Sequence, residues 1–446
     1  MAENKLGVKP VLPLIVSMSL PPMLSMFIQS MYNIVDSIFV ARYSEDAMTA
    51  LSLAFPVQNL ILAIAVGIGV GINSYISRNL GAKQYDEANS AVTHGLIMTA
   101  FHSALLIIFS FTLLKPFFSL FESGGDIFDL SVDYAFIVTS LSSFSLFHIL
   151  LEKVFQAAGK MFFPMILQII GAVVNIILDP IFIFTLNMGV KGAAYTTVIG
   201  QAVSMILTLI IFVTGNHGVK IKIRGFKFSL GTVGKIYAVG LPSSIMLSVA
   251  SVLVMALNKL LITFSQTAVS LFGIYYKIQT FVYMPSSGLI QGIRPIIGYN
   301  YGAGSRKRIK ECIRLSLVIV GIIMVAGSLL FSLFPAQILK VFNASDDMMS
   351  IGMPALRIIS SSYIFAAVGI VFSAVFEAMG KGMYSLTVSL LRQFAITVPL
   401  AYLLSLPMGL NGIWISFPIA EFFGAAASVF LYIKLINKDK IMLKNN

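Results

Sequence analysis

Residues 11–40 form the first long apolar run of the chain and read VLPLIVSMSLPPMLSMFIQSMYNIVDSIFV, with Asp36 as their one charged side chain. A helix of about 20 apolar residues is long enough to cross the roughly 30 Å hydrocarbon core of a bilayer. The run is too long for the apolar region of a cleaved signal peptide, and it has no small-residue cleavage site. It is therefore predicted to be a retained transmembrane helix.

Similar apolar runs continue to the end of the 446 residues. Hydrophobic residues make up 58% of the sequence and charged residues 11%, whereas soluble domains carry about 25% charged residues. No segment alternates as the strands of a transmembrane β-barrel do. The predicted fold class is an all-α membrane protein with about twelve transmembrane helices. The predicted spans are 11–40, 50–76, 92–114, 130–157, 162–186, 191–214, 233–263, 268–297, 312–335, 350–378, 384–406 and 409–434.

The charged residues predict the orientation of these spans. A net charge of +12 also occurs in nucleic-acid-binding proteins, but in a membrane protein it indicates basic cytoplasmic loops rather than a nucleic acid partner. The loops on the side of the two termini hold about twenty Lys and Arg residues, and the opposite loops hold about four. We therefore expect a multi-pass protein of the inner (cytoplasmic) membrane of the cell, with both termini in the cytoplasm.

The second half of the sequence repeats the first at a spacing near 221 residues. NLGA at 79–82 recurs as NYGA at 300–303, and QAAGK at 156–160 recurs as EAMGK at 377–381. The repeat predicts two six-helix lobes related by a pseudo-twofold axis along the membrane normal, with a cavity between them, which is the architecture of a transporter. The predicted boundaries are an N-lobe at 1–216, a connector at 217–232 and a C-lobe at 233–446. The basic connector fits either binding to anionic headgroups or a solvated linker.

Acidic residues deep inside the spans are candidates for function, because a charged side chain costs about 2.5–3.5 kcal/mol at the bilayer centre. They are Asp36, Glu152, Asp179, Glu377 and Glu421. Glu152 lies beside Lys153 near the end of its span, so a salt bridge is an alternative to a functional role. The same holds for Glu377 and Lys381, whereas Glu421 is deeper and is expected to stand alone in its half.

Asp36 and Asp179 are the strongest candidates for a functional site. Asn175 precedes Asp179 by four residues, which puts both on one helical face. Thr196 and Thr197 on the next span add hydroxyl oxygens. Hard cations prefer such oxygen ligands, while two carboxylates close together in a dry site also favour carrying a proton. The cluster is therefore predicted to bind a cation or a proton, with a purely structural network as the alternative.

Other motifs indicate neither an enzyme nor a cofactor. The sequence has no P-loop, HExxH or GxSxG motif, so ATP hydrolysis and intramembrane hydrolysis are not predicted. Gly67, Gly69 and Gly71 look like a dinucleotide loop but lie inside a span, so they are predicted to permit close helix packing. Pro21 in the first span removes a helical hydrogen bond and is predicted to act as a hinge upstream of Asp36.

The sequence resembles the multidrug and toxic compound extrusion (MATE) family, and within it the Gram-positive branch of multidrug exporters. The matching segments span essentially the whole chain and are NIVDS at 33–37, NLGA at 79–82, QAAGK at 156–160, NIILDP at 175–180, QGIRP at 291–295 and NYGA at 300–303. The resemblance implies an antiporter, expected as a monomer in the lipid bilayer. It would export amphipathic organic cations in exchange for Na⁺ or H⁺, with no other cofactor, and so confer antibiotic resistance.

The resemblance also implies the roles of particular residues. The residues that match the family's N-lobe site for Na⁺ or H⁺ are Asp36, Asn175, Asp179 and Thr197. Tyr32 and Tyr134 match aromatic positions near that site, and Glu152 matches an acid that contacts cationic drugs. Branches with a C-lobe ion site carry an acid in the seventh span, where this chain has Asn258 and Lys259, so a C-lobe ion site is not expected. The alternative within the wider superfamily is a flippase for lipid-linked saccharides, which needs several basic residues in its cavity.

Overall fold

The computed structural model describes residues 4–120 and 124–438, and its helices follow the predicted spans. Apolar runs fold as helices in a bilayer because a helix satisfies its backbone N–H and C=O groups internally. The helices of the first half are α1 (Lys5–Val8), α2 (Val11–Tyr43), α3 (Glu45–Gly81), α4 (Tyr85–Thr112), α5 (Leu114–Phe118), α6 (Asp126–Ser140), α7 (Ser143–Ala157), α8 (Phe162–Pro180) and α9 (Gly189–Thr214).

The second half repeats this order of helices. They are α10 (Leu230–Leu261), α11 (Gln266–Gly302), α12 (Arg306–Leu333), α13 (Pro335–Val341), α14 (Asp346–Ser360), α15 (Tyr363–Ala378), α16 (Gly382–Leu390), α17 (Val398–Met408) and α18 (Leu410–Lys438). Both α3 and α11 have 37 residues, and both α4 and α12 have 28. Ser44 and Ser265, 221 residues apart, cap α3 and α11 with the same 3.0 Å hydrogen bond from a backbone N–H. The repeat found in the sequence is thus a repeat of structure.

Nine helices in the described part of the chain are long and apolar enough to cross a membrane, or eleven if each of two bent pairs counts as one span. The bent pairs are α6 with α7 and α14 with α15, with bends of 47° and 46°. The remaining predicted span lies in α11, which is long enough but carries polar side chains such as Tyr275, Lys277 and Gln279. Such a helix is stable in a membrane only if these side chains face protein or water.

Two of the spans contain a π-helical turn. Ile181–Thr185 follows Pro180 at the end of α8, and Leu391–Thr397 joins α16 to α17 just before Pro399. Each proline lacks the N–H that would close an α-helical hydrogen bond, which favours a local change of helical pitch. Such π turns re-aim side chains and are frequent at functional sites. Asp179 lies two residues before the first turn, and Arg392 lies inside the second.

The residues form two compact units, one of residues 20–244 and one of residues 1–19 with 245–446. In the first unit, α3 packs closely on the start of α10. A Cβ atom on Gly67 would lie 2.7 Å from the carbonyl oxygen of Gly240, and one on Gly240 would lie 2.9 Å from that of Gly67. The predicted role of the glycines near residue 67 in helix packing is therefore confirmed. The predicted lobe boundaries follow the sequence repeat and stay a prediction.

Candidate functional site

The backbones of α8 and α9 touch at two glycines. A Cβ atom on Gly171 would lie 2.9 Å from the carbonyl oxygen of Gly200, and one on Gly200 would lie 2.7 Å from that of Gly171. Only glycine permits so close an approach of two helices. Because Asn175 lies one turn beyond Gly171, and Thr196 one turn before Gly200, this contact places the polar side chains of α8 opposite those of α9.

Asp179 is the centre of the polar cluster that results. Its side chain is fully buried, and its Oδ1 atom accepts hydrogen bonds from Thr196 Oγ1 and, at 3.2 Å, from Asn175 Nδ2. Asn175 and Thr196 are themselves buried. The predicted set of Asn175, Asp179 and a neighbouring threonine therefore lies together. The hydroxyl bonded to Asp179 belongs to Thr196 rather than to Thr197.

Asp36 on α2 completes the cluster from a third helix. Its carboxyl group is close enough to interact electrostatically with that of Asp179, and the ring of Tyr32 interacts with both. Gln168 Nε2 on α8 donates a 2.9 Å hydrogen bond to Gln29 Oε1 on α2, two turns before Asp36, and so ties the two helices together. The structure brings Tyr32, Asp36, Asn175 and Asp179 into one site.

Three oxygen atoms of this site accept no hydrogen bond from an N–H group or a hydroxyl of the described residues. They are Asp36 Oδ1, Asn175 Oδ1 and Asp179 Oδ2, and all three are inaccessible to water. The carboxyl groups of Asp36 and Asp179 interact with each other through a hydrogen bond, which needs one shared proton. Buried oxygen acceptors are nearly always paired, so orphaned ones need an explanation. Two carboxylates and an amide oxygen in one site are the ligand types that hard cations prefer, and two neighbouring carboxyl groups can instead share a proton.

Tyr134 lies at the edge of the site and brings in a residue that the sequence reasoning missed. Gln58 Nε2 on α3 donates a 2.6 Å hydrogen bond to the hydroxyl of the buried Tyr134. The side chain of Thr197 also interacts with this hydroxyl, and Tyr134 interacts electrostatically with Asp36. A signal for Gln58 was present in the sequence, because Gln279 lies 221 residues later at the spacing of the repeat. In the structure Gln279 likewise interacts with a tyrosine, Tyr283.

Glu152 lies in a separate polar cluster on α7. Lys153 Nζ lies 2.8 Å from Glu152 Oε1, and Gln156 Nε2 donates a 2.6 Å hydrogen bond to the same oxygen. Glu152 and Lys153 are both buried. The salt bridge that was the alternative for Glu152 is therefore present. A drug-binding role stays a prediction, and it requires Lys153 to give up this contact.

The two deep acids of the second half are also paired with bases. Glu377 Oε2 lies 2.7 Å from Arg294 Nη2 on α11, so its partner is Arg294 rather than Lys381. Glu421 forms an ion pair with Arg392, and the expectation that Glu421 stands alone is wrong. The π turn carries Arg392, and its side chain packs against Gly424, where a Cβ atom would lie 3.2 Å from Arg392 Cδ. A side chain at 424 would crowd the Arg392 side chain and require it to shift.

Asp36 and Asp179 therefore differ in charge environment from the other deep acids. In residues 4–120 and 124–438, neither carboxylate forms an ion pair with a lysine, arginine or histidine. Nor does this part of the chain contain a group of three His, Cys, Asp or Glu side chains that could hold a metal ion. The site thus concentrates negative charge on two carboxylates, which suits a monovalent cation or a proton better than a transition metal.

Comparison with known proteins gives a consistent family assignment. The sequence model of the MatE family matches residues 21–181 and 242–403, one match in each repeat. The multidrug export protein MepA of Staphylococcus haemolyticus (strain JCSC1435) is 25% identical over 421 residues, which cover 94% of this chain and 93% of that protein.

Solved structures agree with the sequence matches. A MATE protein in complex with MaL6 superposes with a TM-score of 0.92 at 27% identity, covering 99% of this chain and 100% of that one. A MOP superfamily transporter from Pyrococcus furiosus has the same TM-score, 0.92, at 27% identity, covering 100% of this chain and 99% of that one. The predicted fold class, an all-α membrane protein of two lobes, is confirmed.

The glycine contact between α8 and α9 can be tested by adding a side chain. In Gly200→Val, the new atoms collide with the backbone of Gly171, and we expect overpacking to lower the free energy of unfolding by about 1–3 kcal/mol. The measurement is the thermal unfolding midpoint of the purified protein in detergent. The control is Gly321→Val on α12, where a Cβ atom meets nothing within 4 Å. Equal midpoints for the two variants would show that this contact does not hold the site together.

The buried pair on α7 makes a second prediction. Glu152→Gln leaves the ammonium of Lys153 buried without its carboxylate, which typically costs about 3–5 kcal/mol. We expect a clear fall in the unfolding midpoint in detergent. Adding Lys153→Met should restore much of the loss, since the double variant buries no unpaired charge. If the double variant is no more stable than Glu152→Gln, the fall in stability of Glu152→Gln does not come from an unpaired Lys153.

Proposed function

This chain belongs to the MatE family of transporters, and we propose that it is a secondary active antiporter that exports many different drugs. Members of the family are transporters and not enzymes, in agreement with the sequence motifs. The proposed substrates are amphipathic organic cations, and the proposed coupling ion is Na⁺ or H⁺. The MepA proteins to which the chain is similar are multidrug export proteins, which supports the substrate range.

One observation carries the ion coupling. Asp36 and Asp179 are deep acids without a basic partner in the described residues, and each has a buried oxygen, as Asn175 does, that accepts no hydrogen bond from an N–H or hydroxyl donor. Two adjacent carboxylates in a membrane are strongly destabilised unless a cation or a proton compensates them. An ion that enters from the outside and leaves to the cytoplasm would meet this requirement in one half of each transport cycle. The coupling ion is a substrate of the transport cycle, and we propose that Asp36, Asn175, Asp179 and the hydroxyl of Thr196 or Thr197 bind it.

The pairing of the deep basic residues argues against a flippase for lipid-linked saccharides. A pyrophosphate group needs uncompensated Lys or Arg side chains, and three of the deep basic residues that the structure describes are already paired with acids. Lys153 pairs with Glu152, Arg294 with Glu377 and Arg392 with Glu421. These three positive charges are therefore neutralised, while the negative charge at Asp36 and Asp179 favours cations.

The proposed cell location is the cytoplasmic membrane, with both termini in the cytoplasm. Its support is the excess of Lys and Arg in the loops on the side of the termini. The aromatic rings of Tyr32 and Tyr134 at the cluster could bind the flat, positively charged part of a drug through cation–π contacts. Glu152 is proposed to contact the drug's charge when Lys153 moves away from it.

Coupling requires that the ion and the drug favour different states of the protein. Pro21 and Pro22 lie inside α2, and Asp36 is carried by the same helix. A proline deprives the preceding turn of a hydrogen bond and so lowers the resistance of the helix to bending. We propose that occupancy of the site by the ion changes the bend of α2 at Pro21 and thereby the space open to the drug.

Removal of either carboxylate charge tests the ion site. Asp36→Asn and Asp179→Asn keep the shape of the side chains but remove the negative charge that compensates a cation and the group that exchanges a proton. We expect both proteins to reach the membrane and to reduce ethidium efflux from cells to the background rate. The control is Asp86→Asn, whose carboxylate is exposed on α4. Efflux at the wild-type rate by either site variant, at equal expression, would disprove the proposed coupling site.

Competition between ion and drug gives a second test, because linkage between two sites is reciprocal. If protons compete, drug affinity of the purified protein should rise with pH; if sodium competes, it should fall with sodium concentration. We expect a change of roughly 5–150-fold across the titration. Asp36→Asn should bind the drug with an affinity that is independent of both ions. Wild-type affinity that responds to neither ion would rule out competition at this site.

A further inference from the structure

A groove of about 420 Å³ lies on the surface of the second unit, among α12, α15 and α18. Its walls are apolar and include Leu317, Phe372 and Tyr432, and the rings of Phe372 and Tyr432 lie 4.9 Å apart. Lys310 and Arg314 also line the groove and lie in the first turns of α12, close to residue 312, where its span is predicted to begin. The groove thus has apolar walls and a basic end, its mouth, formed by Lys310 and Arg314.

The positive charge at this mouth is not neutralised by the protein. Arg306, Lys310 and Arg314 follow one another at intervals of four residues, which puts them on one face of α12. Within residues 4–120 and 124–438, none of the three forms an ion pair with an acid. Arg306 also interacts electrostatically with Tyr432 in the groove wall. Uncompensated cations above an apolar wall favour a ligand with an anionic head and a hydrocarbon tail.

The internal repeat shows what covers the same helix face in the first half. Asn89 and Thr93 of α4 are the counterparts of Lys310 and Arg314 at the 221-residue spacing. Asn89 Oδ1 accepts a 2.7 Å hydrogen bond from the N–H of Lys220, and Thr93 Oγ1 accepts a 3.0 Å bond from that of Lys222. The connector therefore lies along α4.

A buried histidine adds to this attachment of the connector. His94 Nε2 accepts a 2.9 Å bond from the N–H of Ser229, and its ring lies 4.8 Å from that of Phe226 and 5.4 Å from that of Phe228. In the second half, cationic side chains, Lys310 and Arg314, stand at the positions where Asn89 and Thr93 bind the connector in the first half. The cationic side chains of Lys310 and Arg314 repel a basic segment and attract an anion.

We propose that this groove is a binding site for an anionic phospholipid of the surrounding bilayer. The phosphate would contact Lys310 and Arg314, and one acyl chain would lie along Leu317, Phe372 and Tyr432. In this position the lipid takes the place on α12 that the connector takes on α4. Occupancy by an anionic lipid would also stabilise three cations that otherwise repel one another.

Native mass spectrometry of the purified full-length protein with added lipid tests this site. We expect wild type to bind one palmitoyl-oleoyl-phosphatidylglycerol about tenfold more tightly than the matching phosphatidylcholine. Lys310→Gln with Arg314→Gln should remove this preference, and Val318→Trp, which fills the groove without changing charge, should weaken binding of the lipid. The charge-matched control, Lys307→Gln with Lys381→Gln, removes two exposed lysines outside the groove and should bind as wild type does.

Several outcomes would contradict the proposal. They are equal affinity for the two lipids, an unchanged preference after loss of Lys310 and Arg314, or the same loss in the control. Soluble glycerol phosphate should not compete at comparable concentration, and if it does, the site binds free phosphate rather than lipid. If wild type binds no lipid but a variant without residues 439–446 does, that segment is the occupant of the groove.

Discussion

The backbone contact between Gly171 and Gly200 is the constraint on which the chemistry of the first repeat depends. Side chains on α8 and α9 can share a carboxylate only if the two helix axes come close, and glycine is the residue that permits it. From this contact the helical period carries Asn175 and Asp179 along one helix and Thr196 along the other to the same point. Asp179 is buried because Gly171 and Gly200 allow α8 and α9 to pack closely around it.

The pairing of charges explains why only one of the polar clusters calls for an ion. A carboxylate in a membrane must be compensated, and the protein supplies a base to Glu152, Glu377 and Glu421. These three pairs are each internally neutral, so none of them needs an ion from solution. Asp36 and Asp179 have no such base in the described part of the chain, so their compensation has to come from solution. A charge that arrives from solution can also leave, which is the physical requirement for coupling to a gradient.

The sequence was sufficient for whatever depends on neighbours within one helix. The repeat, the helix positions and the shared face of Asn175 and Asp179 follow from periodicity, and the structure agrees with them. Partners across helices could not be predicted in this way. Nothing in the spacing indicates that Arg392 reaches Glu421, because that contact needs a π turn and the open space at Gly424. The choice between two adjacent threonines likewise depends on the rotation of α9 against α8, which periodicity alone does not give.

The two repeats use one scaffold in electrically different ways. Both have a π turn in the corresponding span, beside Asp179 in the first repeat and around Arg392 in the second. A guanidinium is always charged and is covalently attached, so the cation that compensates Glu421 cannot be exchanged with water. On the proposed function, an exchangeable ion is therefore confined to the first repeat. Two features of the second repeat support this: the seventh span has Asn258 and Lys259 instead of an acid, and Arg392 neutralises Glu421. A second ion in the transport cycle would need a carboxylate that the second repeat has already committed to its own arginine.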